Sequence, residues 1–379
     1  MERLVPSLTT YQQARDEVTL SIRGQSSPGA SAQGQNPRVT AYFAEVPLQT
    51  GDGGGPGRFF DLQNVQVLKG PQGTFFGRNA TGGAVLFEPK RPTDQFEGYA
   101  VAQYGRFDDR QLEGAVNLPL ADQLAVRVAG KWAKRDGFTR NITTGQMQDD
   151  RDYFGGRVSA LFKPGGGFES YFMFDYLSND TNGSSAYFAG YNPDKVLTPD
   201  LLEGALPGMP IPLTLAGNGP SIAEFAADPA GTLPAAIAAG RVVFYPDPLL
   251  VDQLAAQQAG GPRVTLGNVD GLNKVRAWGF TNISTLALAD EVSLKNIFGY
   301  RRFKQRSRYD LDGVALPLLD QTTPDGWMNN LRQITEELQV QGRLLDDTLD
   351  FTIGTFLLWQ KAPSPQTLQQ TSVSTPLLT

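Results

Sequence analysis

The sequence predicts a mainly β protein, a small α/β unit followed by an incomplete antiparallel transmembrane β-barrel, and three observations predict it. From about residue 96 onward, apolar and polar residues alternate over long segments separated by turns, the period of strands with one dry and one wet face. The connections between those segments sort into tight and long ones, as if onto two rims. No run of about 18 apolar residues is present to make a spanning helix. A chain of this kind crosses hydrocarbon only as a barrel, whose strands satisfy one another's backbone groups.

The wall segments follow in order. The first two lie at 97–107 and 109–120; in the second, Leu112, Gly114, Val116 and Leu118 share one face and Gln111, Glu113 and Asn117 the other. At 123–135, Leu124, Val126, Val128 and Trp132 oppose Arg127, Lys131 and Arg135. At 152–163, Phe154, Val158, Ala160 and Phe162 oppose Arg157, Ser159 and Lys163. At 168–178, Phe172, Phe174 and Tyr176 oppose Glu169, Tyr171 and Asp175. Segments at 273–288 and 291–304 come next, then 329–344, where Leu338, Val340 and Leu344 oppose Glu337, Gln339, Gln341 and Arg343. The series closes at 347–360 with Leu349, Phe351, Ile353, Leu357 and Trp359. Each segment is long enough for the about 9–11 residues that a tilted strand needs to span a bilayer.

Tight connections at 119–122, 164–167, 289–290 and 345–347 fall after every second strand, with long ones at 136–151, 179–272 and 305–328 between them and only the first of that set, at Phe107 to Asp108, short. Short turns on one rim and long loops on the other are the asymmetry of outer-membrane barrels, and a soluble β-sandwich, the competing all-β reading, has no reason to produce it. The stretch 179–272 is too long for a structureless loop. Its segments SIAEFAADP, LPAAIAAG and LLVDQLAAQQAGG each suit a short helix, so a folded external loop above the mouth is expected.

Ahead of the wall, VTLSIRG at 18–24 and RVTAYFAEVPL at 38–48 alternate as short strands, and TGDGGGPG at 50–57 reads as a loop. The next stretch, GPQGTFFGRNATGGAVLFEPKRP at 70–92, holds glycines at 70, 73, 77, 82 and 83 between two short strands. Glycine this dense suits tight turns and close backbone approach. A phosphate-binding loop is excluded, because Gly77 is followed by Arg78 and Asn79 rather than Lys and Ser or Thr.

The run VQVLKGPQGTFFGRNATGGAV resembles the plug-domain signature of TonB-dependent outer-membrane receptors, with Gly70, Pro71, Gly73, Gly77, Arg78, Asn79, Ala80, Gly82 and Gly83 carrying the pattern. The IRG strand, the YFAEVP strand and the KRP exit resemble the same family, whereas VLFEP at 85–89 stands where the family more often has an Asn and a Thr. The resemblance implies a plug domain over 1–92, truncated at its N-terminus, and the N-terminal part of a barrel over 93–379, about nine strands of the roughly 22 in a plugged transporter. It further implies an outer-membrane location, uptake of a small-molecule or metal-chelate ligand of siderophore, vitamin or carbohydrate type, and a TonB energy-transducing partner whose box precedes residue 1. The start MERLVPSLTT lacks the apolar core of a signal peptide, so residue 1 is expected inside the mature protein, in a fragment or after a misplaced Met.

Candidate ligand contacts are Asp52 and Arg58 in the apical plug loop and the lumen-parity residues Arg127, Lys131, Arg135, Asp175, Glu337, Gln339 and Gln341. Arg302, Lys304, Arg306 and Arg308 continue the apolar face of Val292, Leu294, Phe298 and Tyr300. If that face meets lipid, they sit above the apolar band as contacts for lipopolysaccharide phosphate in the outer-membrane lipid. The chain has no Cys and no His among 379 residues, which removes thiolate and imidazole sites and the commonest general base. The same lack of His argues against haem as the ligand. The carboxylate pairs Asp149 with Asp150 and Asp310 with Asp312 suit acid–base or calcium chemistry in principle, but such pairs in loops are common. No catalytic residue, metal or cofactor is expected, and a formal net charge of −6 argues against a general nucleic-acid binder. The other readings are a soluble or secreted all-β binding module or enzyme, and a passive porin.

Overall fold

In a computed structural model of the chain, the residues described are 5–11, 19–26, 38–49, 57–73, 80–188, 248–315, 319–322, 327, 329–345, 348–362 and 369–372. The N-terminal part holds two small sheets. Strands β1 (Leu8–Tyr11), β2 (Thr19–Ile22) and β3 (Gln25–Ser26) form an antiparallel ribbon. Strands β4 (Val39–Phe43), β5 (Val46–Pro47), β6 (Leu62–Lys69) and β7 (Gly83–Pro89) pair in the order β5-β4-β7-β6, with β4 and β7 parallel. Central β7 is buried over most of its length, and its GAVLF run is apolar on both faces, as a strand covered on both sides requires.

The glycine stretch is the corner of this sheet. Gly70 turns the chain out of β6 with φ +93°, and the Gly70 amide donates to Gly82 O at 3.2 Å while the Gln72 amide donates to Ala80 O at 3.0 Å. Gly83 has φ +141°, and a Cβ there would stand 2.3 Å from the Leu68 carbonyl oxygen, so only glycine fits. Ala80 is buried, and Pro71 and Gly73 lie at the exposed start of the turn. Gly77, Arg78 and Asn79 lie outside the described residues.

The wall is one antiparallel path of β8 (Glu97–Gly105), β9 (Asp109–Ala121), β10 (Leu124–Arg135), β13 (Arg151–Gly165), β14 (Phe168–Thr181), β16 (Leu272–Ala289), β17 (Val292–Asp310), β19 (Asn329–Leu344) and β20 (Leu349–Lys361). Each strand pairs with the preceding and following wall strand, and among the described residues no strand joins β8 to β20, so the sheet is not closed. The chain leaves β9, β13, β16 and β19 at one rim and β8, β10, β14 and β17 at the other, where the first connection, 106–108, is short. Strand β17 runs to Asp310, beyond the expected 304, because its residues 305–308 pair with 272–275 of β16 and Tyr309 and Asp310 pair with β18 (Leu319–Thr322) above the rim.

Facing directions follow the alternation. Leu112, Val128, Phe154, Val158, Phe172, Phe174, Trp278, Leu286, Leu288, Ile334 and Ile353 are large, apolar and exposed on the outer face. On β16 this face extends over the ten residue steps from Trp278 to Leu288, about 34 Å along a strand, and close to the roughly 25 Å apolar band of an outer-membrane barrel once tilted by about 40°. The inner face is buried against the N-terminal unit: Phe43, Val39, Val85 and Phe87 share one core with Tyr171, Met173, Ile283 and Ile297 of the wall. Gly155 of β13 permits the closest approach, since a Cβ there would lie 1.8 Å from Gly57 O.

Above the long-loop rim, β11 (Thr139–Asn141), β12 (Met147–Gln148) and β15 (Val264–Thr265) form a small sheet in the order β12-β11-β15. Helix α1 (Pro248–Gly260) precedes β15, begins with a proline suited to a first helical turn and ends at Gly261 with φ +75°. It contains the expected LLVDQLAAQQAGG helix; SIAEFAADP and LPAAIAAG lie outside the described residues. Strand β21 (Gln369–Ser372) pairs with β18.

Candidate functional site

The inner face of the wall is rich in arginine, and each guanidinium is met by the N-terminal unit or by a carboxylate beside it. Asp61, at a positive-φ corner before β6, accepts from Arg127 Nη2 at 2.6 Å and Nε at 2.8 Å. It also accepts from Arg157 Nη2 at 3.1 Å, and the same nitrogen reaches the carbonyls of Phe60 at 3.1 Å and Asp61 at 2.8 Å. A second centre joins Asp175 to Arg301, with Arg58 Nη1 at 3.5 Å from Asp175 Oδ2. Arg301 also donates to Phe43 O at 3.3 Å and Thr281 Oγ1 at 3.2 Å. Three guanidiniums, of Arg58, Arg157 and Arg301, lie within 5.8 Å of the Phe43 ring.

Chain geometry explains these meetings. In register, Arg157 of β13 stands beside Asp175 of β14, which stands beside Gly279 of β16, which stands beside Arg301 of β17. Gly279 leaves the room that the Arg301 side chain fills. Lower down, Glu45 holds Lys295 of β17 and Arg91 at 3.6 Å, and Arg91 also reaches Glu169 at 3.5 Å and covers the Tyr171 ring at 4.8 Å. Gln333 of β19 donates to Pro47 O at 2.7 Å. Strands β10, β13, β14, β17 and β19 therefore each grip the inner unit through a polar side chain.

This arrangement corrects part of the expected ligand set. Arg58, Arg127 and Asp175 are 3%, 2% and 4% exposed and are engaged in the seam, so none is open to a ligand. Lys131 pairs with Glu113 at 3.0 Å, and Arg135 donates to Asp149 O at 2.6 Å. Glu337, Gln339 and Gln341 face inward as a hydrogen-bonded ladder, on the half of β19 nearer the short-turn rim and away from the external mouth. Asp52 lies outside the described residues. Asp61, Arg157, Arg301, Glu45 and Lys295 were not among the candidates. Arg157 and Arg301 have inward parity, which is the signal that marks them, while Asp61 lies at a turn, where alternation carries no signal.

Arg302, Lys304, Arg306 and Arg308 share the face of Phe298 and Tyr300. Arg302 donates to Asn330 Oδ1, Lys304 lies 5.4 Å from the Trp327 ring centroid, and Arg308 donates to Asp270 O. Through register, Lys274 and Arg276 of β16 stand beside Arg306 and Lys304 on the same face, and Arg332 stands beside Arg302. On the loops, Asp149 is buried, not solvated: the hydroxyls of Thr139 and Ser185 donate to it. Asp150 accepts the Asn182 amide at 2.8 Å. Asp310, Asp312 and Asp320 converge at the rim, each with a carboxylate oxygen within 4.8 Å of the other two.

Residues 1–84 match the model of the TonB-dependent receptor plug domain. Over 107 residues the chain is 33% identical to the pesticin receptor of Yersinia enterocolitica, covering 28% of this chain and 15% of that protein. The fold is similar to that of the ferric yersiniabactin uptake receptor FyuA from Yersinia pestis, with a TM-score of 0.63 at 17% identity over 95% of this chain and 45% of that one. It is also similar to the siderophore receptor PiuA from Acinetobacter baumannii, with a TM-score of 0.59 at 16% identity over 95% of this chain and 42% of that one. The chain thus spans less than half the length of these relatives.

Proposed function

We propose that this chain, a member of the TonB-dependent outer-membrane receptors, serves the energised uptake of a metal chelate of the siderophore type. Residues 1–92 are the plug, 93–379 the first part of the barrel wall, and 179–272 an external loop at the mouth where the ligand is captured. The inner-membrane TonB complex pulls on a box ahead of the plug, and the plug shifts to let the chelate pass. Relatives of this family are receptors and not enzymes, and no covalent step is required of the chain. Siderophore is preferred over vitamin or carbohydrate because PiuA is described as a siderophore receptor and FyuA as a ferric yersiniabactin uptake receptor.

The observation that supports this reading best is the buried seam. Its pairs join plug to wall, Asp61 with Arg127 and Arg157 and Arg58 with Asp175, and wall to wall beside the plug, Asp175 with Arg301. A buried ion pair contributes little net stability yet is costly to break from one side, so it fixes where the plug rests without welding it there. A passive porin has no use for a core that fills its lumen, and a soluble module has no use for the exposed apolar outer face. Lipid at the upper edge of that face is proposed to meet Lys304, Arg306 and Arg308 through its phosphates, whereas Arg302, expected in the same set, is buried and donates to Asn330.

The test is uptake of radioactive iron, given as hydroxamate, catecholate and mixed-ligand chelates, by cells with and without the protein. At least one chelate should enter only when the protein is present and the proton-motive force intact. Uptake indifferent to loss of the protein, or undiminished after de-energisation, contradicts the proposal.

A further inference from the structure

We propose that Asp310, Asp312 and Asp320, with Asn268 beside them, form a calcium site that braces the external rim of the barrel. Asp310 ends β17 and is directly opposite Asp320 of β18 in the antiparallel register, a position where two like charges repel. Asp312 follows two residues later in the turn, and the three offer carboxylate oxygens within 4.8 Å of one another.

Asp320 supplies the independent sign that something is bound here. Its side chain is only 5% exposed and its Oδ1 is buried without a hydrogen-bond partner among the described residues. The Asn268 side-chain amide donates to Asp320 Oδ2 at 2.8 Å and the Asn268 backbone amide to Asp310 Oδ2 at 2.8 Å, and Asn268 Oδ1 is likewise buried without a partner. No cationic side chain among the described residues forms an ion pair with Asp310 or Asp320. Orphaned buried oxygen is expensive, and a cation that accepts several oxygen ligands removes the cost.

The donor set selects the ion. It is all oxygen, in a chain without His or Cys, which suits a hard cation and not zinc, copper or ferrous iron. Magnesium keeps most of its waters and takes one or two carboxylates in strict octahedral geometry, whereas calcium accepts six to eight oxygens at about 2.3–2.6 Å from an irregular set of carboxylates, amides and carbonyls. Three carboxylates, two of them buried, fit the second description. The site would tie the segment before β16, the end of β17 and the strand β18 to one point, and β18 in turn pairs with β21. The ion is a resident brace and is distinct from any metal carried as cargo, so the inference does not rest on the ligand class proposed above.

The experiment is a thermal melt of the protein purified in detergent from outer membranes, after chelator treatment, with CaCl2 or MgCl2 added up to about 10 mM, above the range of roughly 10⁻⁴–10⁻³ M at which extracellular calcium modules bind. Calcium should raise the melting temperature by about 2–4 °C and magnesium by clearly less. In equilibrium dialysis with radioactive calcium, Asp320→Asn should weaken binding by about tenfold or more, while Asp290→Asn on the opposite rim should leave it unchanged. No calcium shift in the unsubstituted protein, an equal shift with magnesium, or full calcium binding by Asp320→Asn would each overturn the proposal; the first two outcomes do not depend on any variant folding.

Discussion

Asp61 is the residue on which the plug turns into β6, and among the described residues its carboxylate is the one acidic partner that Arg127 and Arg157 share. Asn keeps the shape and removes the charge, leaving two buried guanidiniums against an amide. Breaking a buried pair from one side costs about 3–5 kcal/mol, so Asp61→Asn should lower the melting temperature and expose the plug to limited proteolysis at lower temperature. A melt and a proteolysis series read both, and an unchanged melting temperature would show that the seam does not hold the plug. Sequence alone did not reveal Asp61 because its partners lie 66 and 96 positions away, and only the curvature of the wall brings them to it. Arg58 shows the converse: a basic residue beside a glycine-rich stretch suggested a ligand contact, but its side chain is buried and its charge is used by Asp175.

Strands were far more legible than sites, because a strand needs only its own alternation. The dry stripe of Phe172 and Phe174, with buried Tyr171, Met173 and Asp175 on the other side, can be read directly from residues in sequence. What alternation did not show are the short pieces above the rim: β11, β12 and β15 have 3, 2 and 2 residues, below the length at which a period of two can be seen, and they exist through pairing with distant segments. The end of β17 was missed for a related reason, since its last residues are polar on both faces and extend through pairing with the start of β16 and with β18. If the outer stripe meets lipid, its tolerance of charge depends on depth. Phe172→Arg, near the middle of the band, should destabilise the folded protein in bilayers by about 2–4 kcal/mol, and Leu288→Arg, at its edge, by about 0–1 kcal/mol. Equal effects in a denaturant titration would argue against a bilayer around this sheet.

At the scale of the whole molecule, the curved sheet and the unit it encloses explain each other. The wall's inner face carries Arg127, Arg157 and Arg301, untenable against hydrocarbon, and the plug's β4 and β7 are apolar on both sides, untenable in water alone. Packed together they leave one greasy surface, the outer one. The glycine signature made this legible in advance: glycines where the plug's strands cross imply backbone packed on backbone, and the family resemblance supplied the wall around it. The position of the ligand was not legible, because of the inward charges that suggested it, Arg58, Arg127 and Asp175 are used to seat the plug and Lys131 and Arg135 are bonded within the wall and its loops.

The measurement that bears most directly on this is made easy by the absence of cysteine. Single cysteines placed in turn at 171 to 176 of β14 and spin-labelled in native outer membranes report collision with dissolved oxygen, which favours lipid, and with a water-soluble nickel chelate. The account predicts oxygen contact at Phe172, Phe174 and Tyr176, and shielding from both reagents at Tyr171 and Met173, where the plug covers the wall. Nickel contact at the first three positions, or no two-residue period at all, would contradict a lipid-facing wall sealed from within.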